Sequence, residues 1–483
     1  MGKSIKSQAI SGVKWSAVSK IYTTAVSVLQ VAILTRFLDK EDFGLMGVAV
    51  LINAFCSIFV DMGMSAAALH EKELNKCQFS SFYWFNLVSG LIITVFVSTI
   101  SPLIASYYDN SELIGIISIT SLSIFISSIS SLQRTLQQKK MNFRFMSIVD
   151  IVSSTIGFGV NLIMATQGFG VYSLVCSQLI TGIFTAIAYL SIAIFKEKNI
   201  CLYFRFAEIR DALKIGLYQS GSSVLDFLSR EMDSLIISSN ISMEFFGIYT
   251  LCKNLTMRIY MVINPIITNV VTPILAKMQD DKDKLSDVYK RIVELLGFVN
   301  FPIYSMIAIC SYSIISILYG ESYCNYAFVL SCLAIYYAFQ SCGNPIGSML
   351  IATGRTDRGF IWTVFRIVFT FVYLNIAAKF DLNIFMIFIL FTPILTSYPS
   401  WYIILRVIST INYKESLLII FKAFFVCIPF YPLYFLDRFL DSPILSICVI
   451  SIIFVTGYYF INRWFRLEML KYMMSTLKQF IRR

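Results

Sequence analysis

The sequence predicts an all-α integral membrane protein of about fourteen transmembrane helices, in two six-helix lobes related by a parallel repeat, with two appended C-terminal helices. Three observations carry that expectation. Of the 483 residues, 57% are hydrophobic and only 14% charged, with a mean hydropathy of +0.74, a composition suited to lipid rather than water. The apolar residues fall in runs long enough to cross a hydrocarbon core of roughly 30 Å. The cations gather at every second end of those runs.

The first six runs lie near 10–36, 43–69, 80–105, 113–133, 145–166 and 170–195, bounded by charged residues or by Gly, Pro and Asn. Six more follow near 211–238, 244–275, 288–318, 324–352, 358–378 and 383–405, and a last pair near 416–436 and 443–462. Many exceed the ~20 residues a span needs, which permits tilt or a cavity lining without fixing an angle. The short alternating strands of a barrel are absent. Asn264–Pro265 and Pro273 in the eighth run, and Pro302 in the ninth, permit kinks, whether as fixed bends or as flexing points.

With the N-terminus inside, inner loops and tails hold 30 of the 39 Lys and Arg, while outer loops hold only Arg36, Lys40, Lys379 and Arg438. That asymmetry predicts an even number of spans, with both termini on the cytoplasmic side. It assigns the net charge of +11 to topology and to contact with membrane lipids, not to nucleic acid. The start of the chain lacks a cleavage pattern and has Lys6 where a myristoylation signal wants Ser or Thr. The eleven cysteines include no CxxC, and the one histidine, His70, lies at an inner span end, so neither metal nor cofactor is expected. A phosphate-binding GxxxxGK loop is absent, so no ATPase is expected within the chain.

Two stretches repeat. Glu41–Gly44 reads EDFG and Glu244–Gly247 reads EFFG, while residues 11–30 align with 214–233, at an offset of 203 to 204 residues. Six runs precede the second copy, so both insert the same way up. This predicts parallel lobes about an axis along the membrane normal, with a cavity between them. The expected lobes are 1–195 and 211–405, joined by a cytoplasmic amphipathic connector over 196–210. Residues 406–462 hold the appended pair, and 463–483 form an amphipathic tail. Connector and tail are both expected to lie as helices in the membrane interface.

The strings SGVKWSAVSK (11–20), TRFLDKEDFGLMGV (35–48), VDMGMSAAALHEKE (60–73), LQRTLQQKKMNFR (132–144), VTPILAKMQDDKDKL (271–285) and ATGRTD (352–357) resemble the polysaccharide-transporter branch of the MOP superfamily, which includes the Wzx-type flippases. The resemblance covers residues 1 to about 405. It implies a flippase moving an undecaprenyl-diphosphate-linked oligosaccharide from the cytoplasmic to the periplasmic leaflet by alternating access, for lipopolysaccharide, O-antigen or exopolysaccharide biosynthesis. Polymerase and export proteins would act as partners. The physics agrees: a charged sugar head group cannot cross hydrocarbon unaided, and needs a cation-lined polar path.

Five cations lie away from the loops: Arg230, Lys253, Arg258, Arg366 and Lys422. Lys422, close to the inner end of the thirteenth run, is read as snorkelling. Arg258 and Arg366 fall near mid-span. Together with Arg230 or Lys253 they are the candidate diphosphate ligands, because a guanidinium donates two parallel hydrogen bonds to phosphate. The competing reading is intramembrane ion pairing. It is strongest for Arg230, which shares one helix face with Asp226 and Asp233 at i, i+4 and i, i+3 spacing, while Glu231 is placed to meet Lys253. Two acids and one base leave that face net negative, able to hold a proton or Na⁺ and to couple transport to an H⁺ or Na⁺ gradient. Asp61, in the second run, joins this acidic group. Tyr22, Thr23, Gln30 and Asn53 are candidate sugar contacts or helix–helix contacts.

Two other functions compete. A multidrug or small-cation antiporter of the related extrusion branch typically has twelve spans, two fewer than expected here. A membrane-embedded glycan polymerase or ligase would carry a large outer loop, and every outer loop here is short.

Overall fold

A computed structural model describes residues 5–70, 75–279, 281–440 and 442–464, with helix as the only regular structure among them. In order these are α1 (Ile5–Leu34), α2 (Lys40–Asp61), α3 (Met64–His70), α4 (Lys76–Tyr107), α5 (Glu112–Lys139), α6 (Phe143–Thr166) and α7 (Tyr172–Ser191), which runs on as a π-helical turn, Ile192–Glu197. There follow α8 (Phe206–Asn240), α9 (Met243–Ala276), α10 (Lys282–Ile309), α11 (Ser311–Tyr319), α12 (Ala327–Ala352), α13 (Thr356–Ala377) and α14 (Leu382–Leu395). The last three are α15 (Tyr413–Cys427), α16 (Leu433–Phe439) and α17 (Pro443–Trp464). The expected tail, 463–483, lies almost wholly outside the described residues.

Twelve helical segments among the described residues are long and apolar enough to cross a membrane, and each matches one of the expected runs. The two remaining runs, 211–238 and 244–275, are α8 and α9, of 35 and 34 residues. Four runs are interrupted, the twelfth at Thr396, after which helix resumes over 397–408 with a π-helical turn at Trp401–Leu405. The second breaks at Met62 and Gly63, both at positive φ, into α2 and α3. The ninth breaks at Cys310 into α10 and α11, although Pro302 stands inside the unbroken α10. The thirteenth breaks around Pro429 and Pro432 into α15 and α16, where two missing N–H donors end the helical ladder.

The chain forms two compact units, Met1–Gly247 and Ile248–Arg483. In the first, α4 and α5 meet along small hydroxyls: Thr94 Oγ1 donates to the Ser121 carbonyl at 3.1 Å, and Ser98 pairs with Ser121 and Ser101 with Ser118 at 2.9 and 3.1 Å. Lipid offers no hydrophobic drive for helix pairing, so close small-residue packing and hydrogen bonds supply it. Across α6 and α7, Ser177 Oγ donates to the Gly157 carbonyl at 2.9 Å.

The EDFG and EFFG repeats meet in space. A Cβ added at Gly44 would collide with the Met243 carbonyl oxygen, and one added at Gly247 would collide with the Lys40 carbonyl oxygen. Those two contacts exchange under the 203-residue offset, so the first turns of α2 and α9 cross reciprocally, as in a two-fold contact. Lys40 Nζ and Glu244 Oε1 close the crossing at 3.0 Å.

The connector differs from expectation. Helix resumes only at Phe206, and 198–205 is non-helical chain laid against α4. Ser80 Oγ accepts the Cys201 N–H at 2.8 Å, Trp84 Nε1 donates to the Cys201 carbonyl at 2.8 Å, and Ser81 Oγ accepts the Arg205 N–H at 3.2 Å. Side chains of α4 satisfy backbone groups that a surface helix would have paired internally.

The second unit is built around α10, α12 and α15, where Phe301, Phe339 and Phe424 pack with ring centroids 5.0–5.6 Å apart. The fully buried Asp437 of α16 accepts from Ser313 N at 3.1 Å, Ser313 Oγ at 2.6 Å and Ser446 Oγ at 2.6 Å. That carboxylate supplies a partner for one of the first N–H groups of α11, which have none within their own helix, and ties α11 to the appended pair.

Candidate functional site

The candidate residues divide between the units. Asp61, Asp226, Arg230, Glu231 and Asp233 lie in the first; Lys253, Arg258 and Arg366 lie in the second.

On α8 the four charges occupy a single stretch of helix, 226–233, with Asp226 and Arg230 exposed and Glu231 and Asp233 half-buried. Arg230 Nε donates to the Asp226 backbone carbonyl at 3.4 Å, and Ser234 Oγ donates to Glu231 Oε2 at 3.2 Å. Both bonds run within α8, as expected of residues three and four apart. Asp61 stands apart. Its carboxylate accepts from Ser65 N–H at 3.1 Å, from Ser65 Oγ at 2.6 Å and from Asn86 Nδ2 at 3.2 Å. It therefore pins the start of α3 to α2 and α4, and its oxygens are already engaged.

In the second unit, α9 presents two faces. Tyr249, Lys253, Thr256 and Tyr260 share one of them. Lys253 is 7% exposed, with Nζ 5.9 Å from the Tyr249 ring centroid, a distance at which the ring quadrupole attracts a cation. Tyr304 Oη donates to the Thr256 carbonyl at 3.2 Å, and Tyr260 Oη donates to Asn344 Oδ1 of α12. Leu251 and Arg258, seven residues apart, share another face. There Tyr319 Oη donates to the Leu251 carbonyl at 3.2 Å, and the Tyr319 hydroxyl lies within electrostatic reach of the half-buried Arg258.

Arg366 is half-buried on α13, beside a ladder of rings. Trp362, Phe365, Phe369 and Tyr373 stack in sequence with centroids 5.9, 5.8 and 5.4 Å apart and planes within 25° of parallel, and Tyr373 continues the stack onto Phe388 of α14. By helical spacing Arg366 shares a face of α13 with these rings, and a guanidinium beside aromatic side chains combines bidentate phosphate recognition with apolar contact area. Among the smaller candidates, Tyr22 Oη bonds Thr155 Oγ1 at 2.8 Å, a contact between α1 and α6. Asn53 is buried on α2, and its amide atoms have no hydrogen-bond partner among the described residues.

Sequence reasoning missed the clamp of tyrosines on α9, because Tyr304 and Tyr319 reach it from α10 and α11. It also missed Glu197, two of whose partners, Gln133 and Gln137, lie about 60 residues away on α5. Gln137 Nε2 donates to it at 2.8 Å, Gln133 Nε2 at 3.1 Å and Asn199 Nδ2 at 3.2 Å, and Lys140 Nζ lies 2.6 Å away. The i, i+4 pair Gln133 and Gln137 on an otherwise apolar helix was the available signal.

Comparison with known proteins adds a family and a fold. A family model described as polysaccharide biosynthesis protein matches residues 33–328. The lipopolysaccharide biosynthesis protein WzxC of Escherichia coli K12 is 25% identical over 435 residues, which is 88% of this chain and 87% of that protein. The teichuronic acid biosynthesis protein TuaB of Bacillus subtilis 168 is 29% identical over 360 residues, 74% of each chain. Among solved structures, the lipid II flippase MurJ in an inward closed conformation superposes with a TM-score of 0.73 at 14% identity, covering 95% of this chain and 100% of that one. An inward-facing multidrug MATE transporter of the MOP superfamily gives 0.63 at 14% identity, over 79% of this chain and 93% of that one. At such identities the structures speak to the fold.

Proposed function

The chain belongs to the polysaccharide biosynthesis protein family, and from that premise we propose that it is a transporter of the MOP superfamily that flips an undecaprenyl-diphosphate-linked oligosaccharide repeat unit from the cytoplasmic to the periplasmic leaflet by alternating access. It is a multi-pass membrane transporter of flippase type. The observation that carries the finer reading is the set of cations held within long helices: Lys253 buried on α9, Arg258 half-buried on the same helix, and Arg366 half-buried beside the α13 ring ladder. Holding cations within a membrane is costly, roughly 2.5–3.5 kcal/mol each on insertion scales, and usually marks a polar pathway. A diphosphate supplies the matching charge.

In this reading α8 and α9 complete fourteen spans, with both termini cytoplasmic, in two lobes related by the parallel repeat. Arg258 and Arg366 bind the diphosphate, assisted by Lys253 or Arg230. Asp226, Glu231 and Asp233 on α8 couple transport to an H⁺ or Na⁺ gradient, with no ATPase in the chain. Asp61 serves α3 first, given the three bonds it already accepts. Polymerase and export proteins take the product on the periplasmic side.

The test is made in the native host. Arg258→Ala and Arg366→Ala each abolish surface glycan while membrane protein level stays at wild type. Normal glycan in both variants sinks the assignment of the diphosphate site.

A further inference from the structure

A second binding site lies away from the candidate cations, at the ends of α5, α6 and the α7 extension that the charge distribution assigns to the inner leaflet. A cavity of about 660 Å³ is lined there by Gln137, Lys140, Met141, Asn142, Lys196 and Glu197. Its acceptors are mostly spent. Glu197 takes three amide donors besides Lys140, and Gln137 Oε1 accepts from Asn142 Nδ2 at 2.8 Å. What remains on offer is donor and positive: the exposed Lys196, and the N–H groups of Lys140 not used on Glu197, its side chain being 48% exposed. A pocket of that kind recognises an oxyanion.

The rim is apolar. Phe195, adjoining Lys196, is 79% exposed and Leu202 is 94% exposed; Ile194, Phe204 and Phe206 are exposed as well. The bonds from Ser80, Ser81 and Trp84 fix the backbone of this segment against α4. Large apolar side chains held outward on a fixed backbone, next to a cationic cavity, suit an amphiphile with a phosphate head and hydrocarbon tails. Basic pockets between helices on the cytoplasmic side bind anionic head groups by this combination.

We propose that this cavity binds the head group of an anionic phospholipid of the inner leaflet, with Lys140 and Lys196 on the phosphate and Phe195 and Leu202 among the acyl chains. Abundance favours this occupant over a scarce lipid-linked intermediate, because bound fraction follows free concentration. The site is independent of the transport reaction.

The experiment is native mass spectrometry of the full chain released from nanodiscs of equal phosphatidylglycerol and phosphatidylcholine. The wild type retains phosphatidylglycerol preferentially. At the contribution usual for a basic residue near an anionic surface, Lys140→Gln/Lys196→Gln lowers that preference roughly ten- to thirty-fold. Lys196→Gln alone, which leaves the Glu197 ion pair intact, lowers it about five-fold. The control pair Lys284→Gln/Lys414→Gln, two exposed inner-side lysines elsewhere, leaves it unchanged. An unaltered preference in the Lys196→Gln and double variants, or an equal fall in the control, overturns the proposal. Displacement of phosphatidylglycerol from the wild type by equimolar polyprenyl phosphate overturns the choice of occupant.

Discussion

Asp226 shows how far one residue's role can be read from spacing. Its register with Arg230 on an apolar helix is visible in the sequence, and the structure keeps the two side by side on α8. The bond between them, however, runs from the guanidinium to the Asp226 backbone carbonyl, and the Asp226 side chain is exposed. An exposed carboxylate on α8 can be replaced by an amide without breaking a side-chain hydrogen bond seen in the structure, so the proposed coupling role can be tested apart from folding. Asp226→Asn therefore yields vesicles that still bind lipid-linked substrate but no longer respond to an imposed proton or Na⁺ gradient. Unchanged gradient dependence in a transport assay would make Asp226 structural. Asp61 and Glu197 carry the opposite lesson. Both are acids in or beside spans, yet their partners, Asn86 and the Gln133–Gln137 pair, sit 25 and about 60 residues away. Apart from the i, i+4 spacing of Gln133 and Gln137, no local pattern announces such pairings.

Among the elements, the long apolar runs were legible because a span's length is set by the bilayer rather than by tertiary context. Their interruptions were less so. The break at Cys310 is followed by an α11 whose Ser313 N–H is taken up by Asp437, more than a hundred residues later in the chain. The connector looked amphipathic, and only the α4 hydroxyls show why its first half is not helical. The EDFG and EFFG repeats turned out to be contact partners. Because Gly44 and Gly247 each lie against a backbone carbonyl, neither tolerates a side chain without moving a helix. Gly44→Leu and Gly247→Leu are expected to lose similar stability, on the order of 1–3 kcal/mol or more, as overpacked sites do. Gly159→Leu, a helical position with open space around it, serves as the comparison. Thermal unfolding in detergent checks this: equal melting temperatures for all three variants would refute the reciprocal crossing.

At the scale of the molecule, composition and the positive-inside asymmetry were enough to place the chain in a membrane, and the loop strings pointed to its family. Among the described residues, twelve of the fourteen expected spans answer to length and apolarity alone. The other two, α8 and α9, carry most of the candidate charges, and on α8 the cluster Asp226, Arg230, Glu231 and Asp233 itself lowers the hydropathy of the run. Sequence could nominate Arg258 and Arg366 as cations within spans. It could not show that Arg366 lies along a stack of four rings, or that tyrosines from α10 and α11 clamp the α9 backbone near Arg258. The tyrosine clamp comes from neighbouring helices and no periodicity within one run encodes it; the rings at 362, 365, 369 and 373 do recur at helical spacing within the α13 run, and only their continuation onto Phe388 of α14 comes from outside it.

In the proposed function, those arginines carry a diphosphate-linked oligosaccharide lipid across the bilayer. The most direct test is reconstitution in sealed vesicles loaded asymmetrically with such a lipid, scored by how much of the glycan becomes accessible to an impermeant glycan-cleaving enzyme. Wild-type vesicles are predicted to expose the protected pool over time, and vesicles with folded Arg258→Ala/Arg366→Ala protein are predicted to stay at the protein-free baseline. A wild-type protein that leaves the pool protected, or a double variant that exposes it at the wild-type rate, would contradict the account.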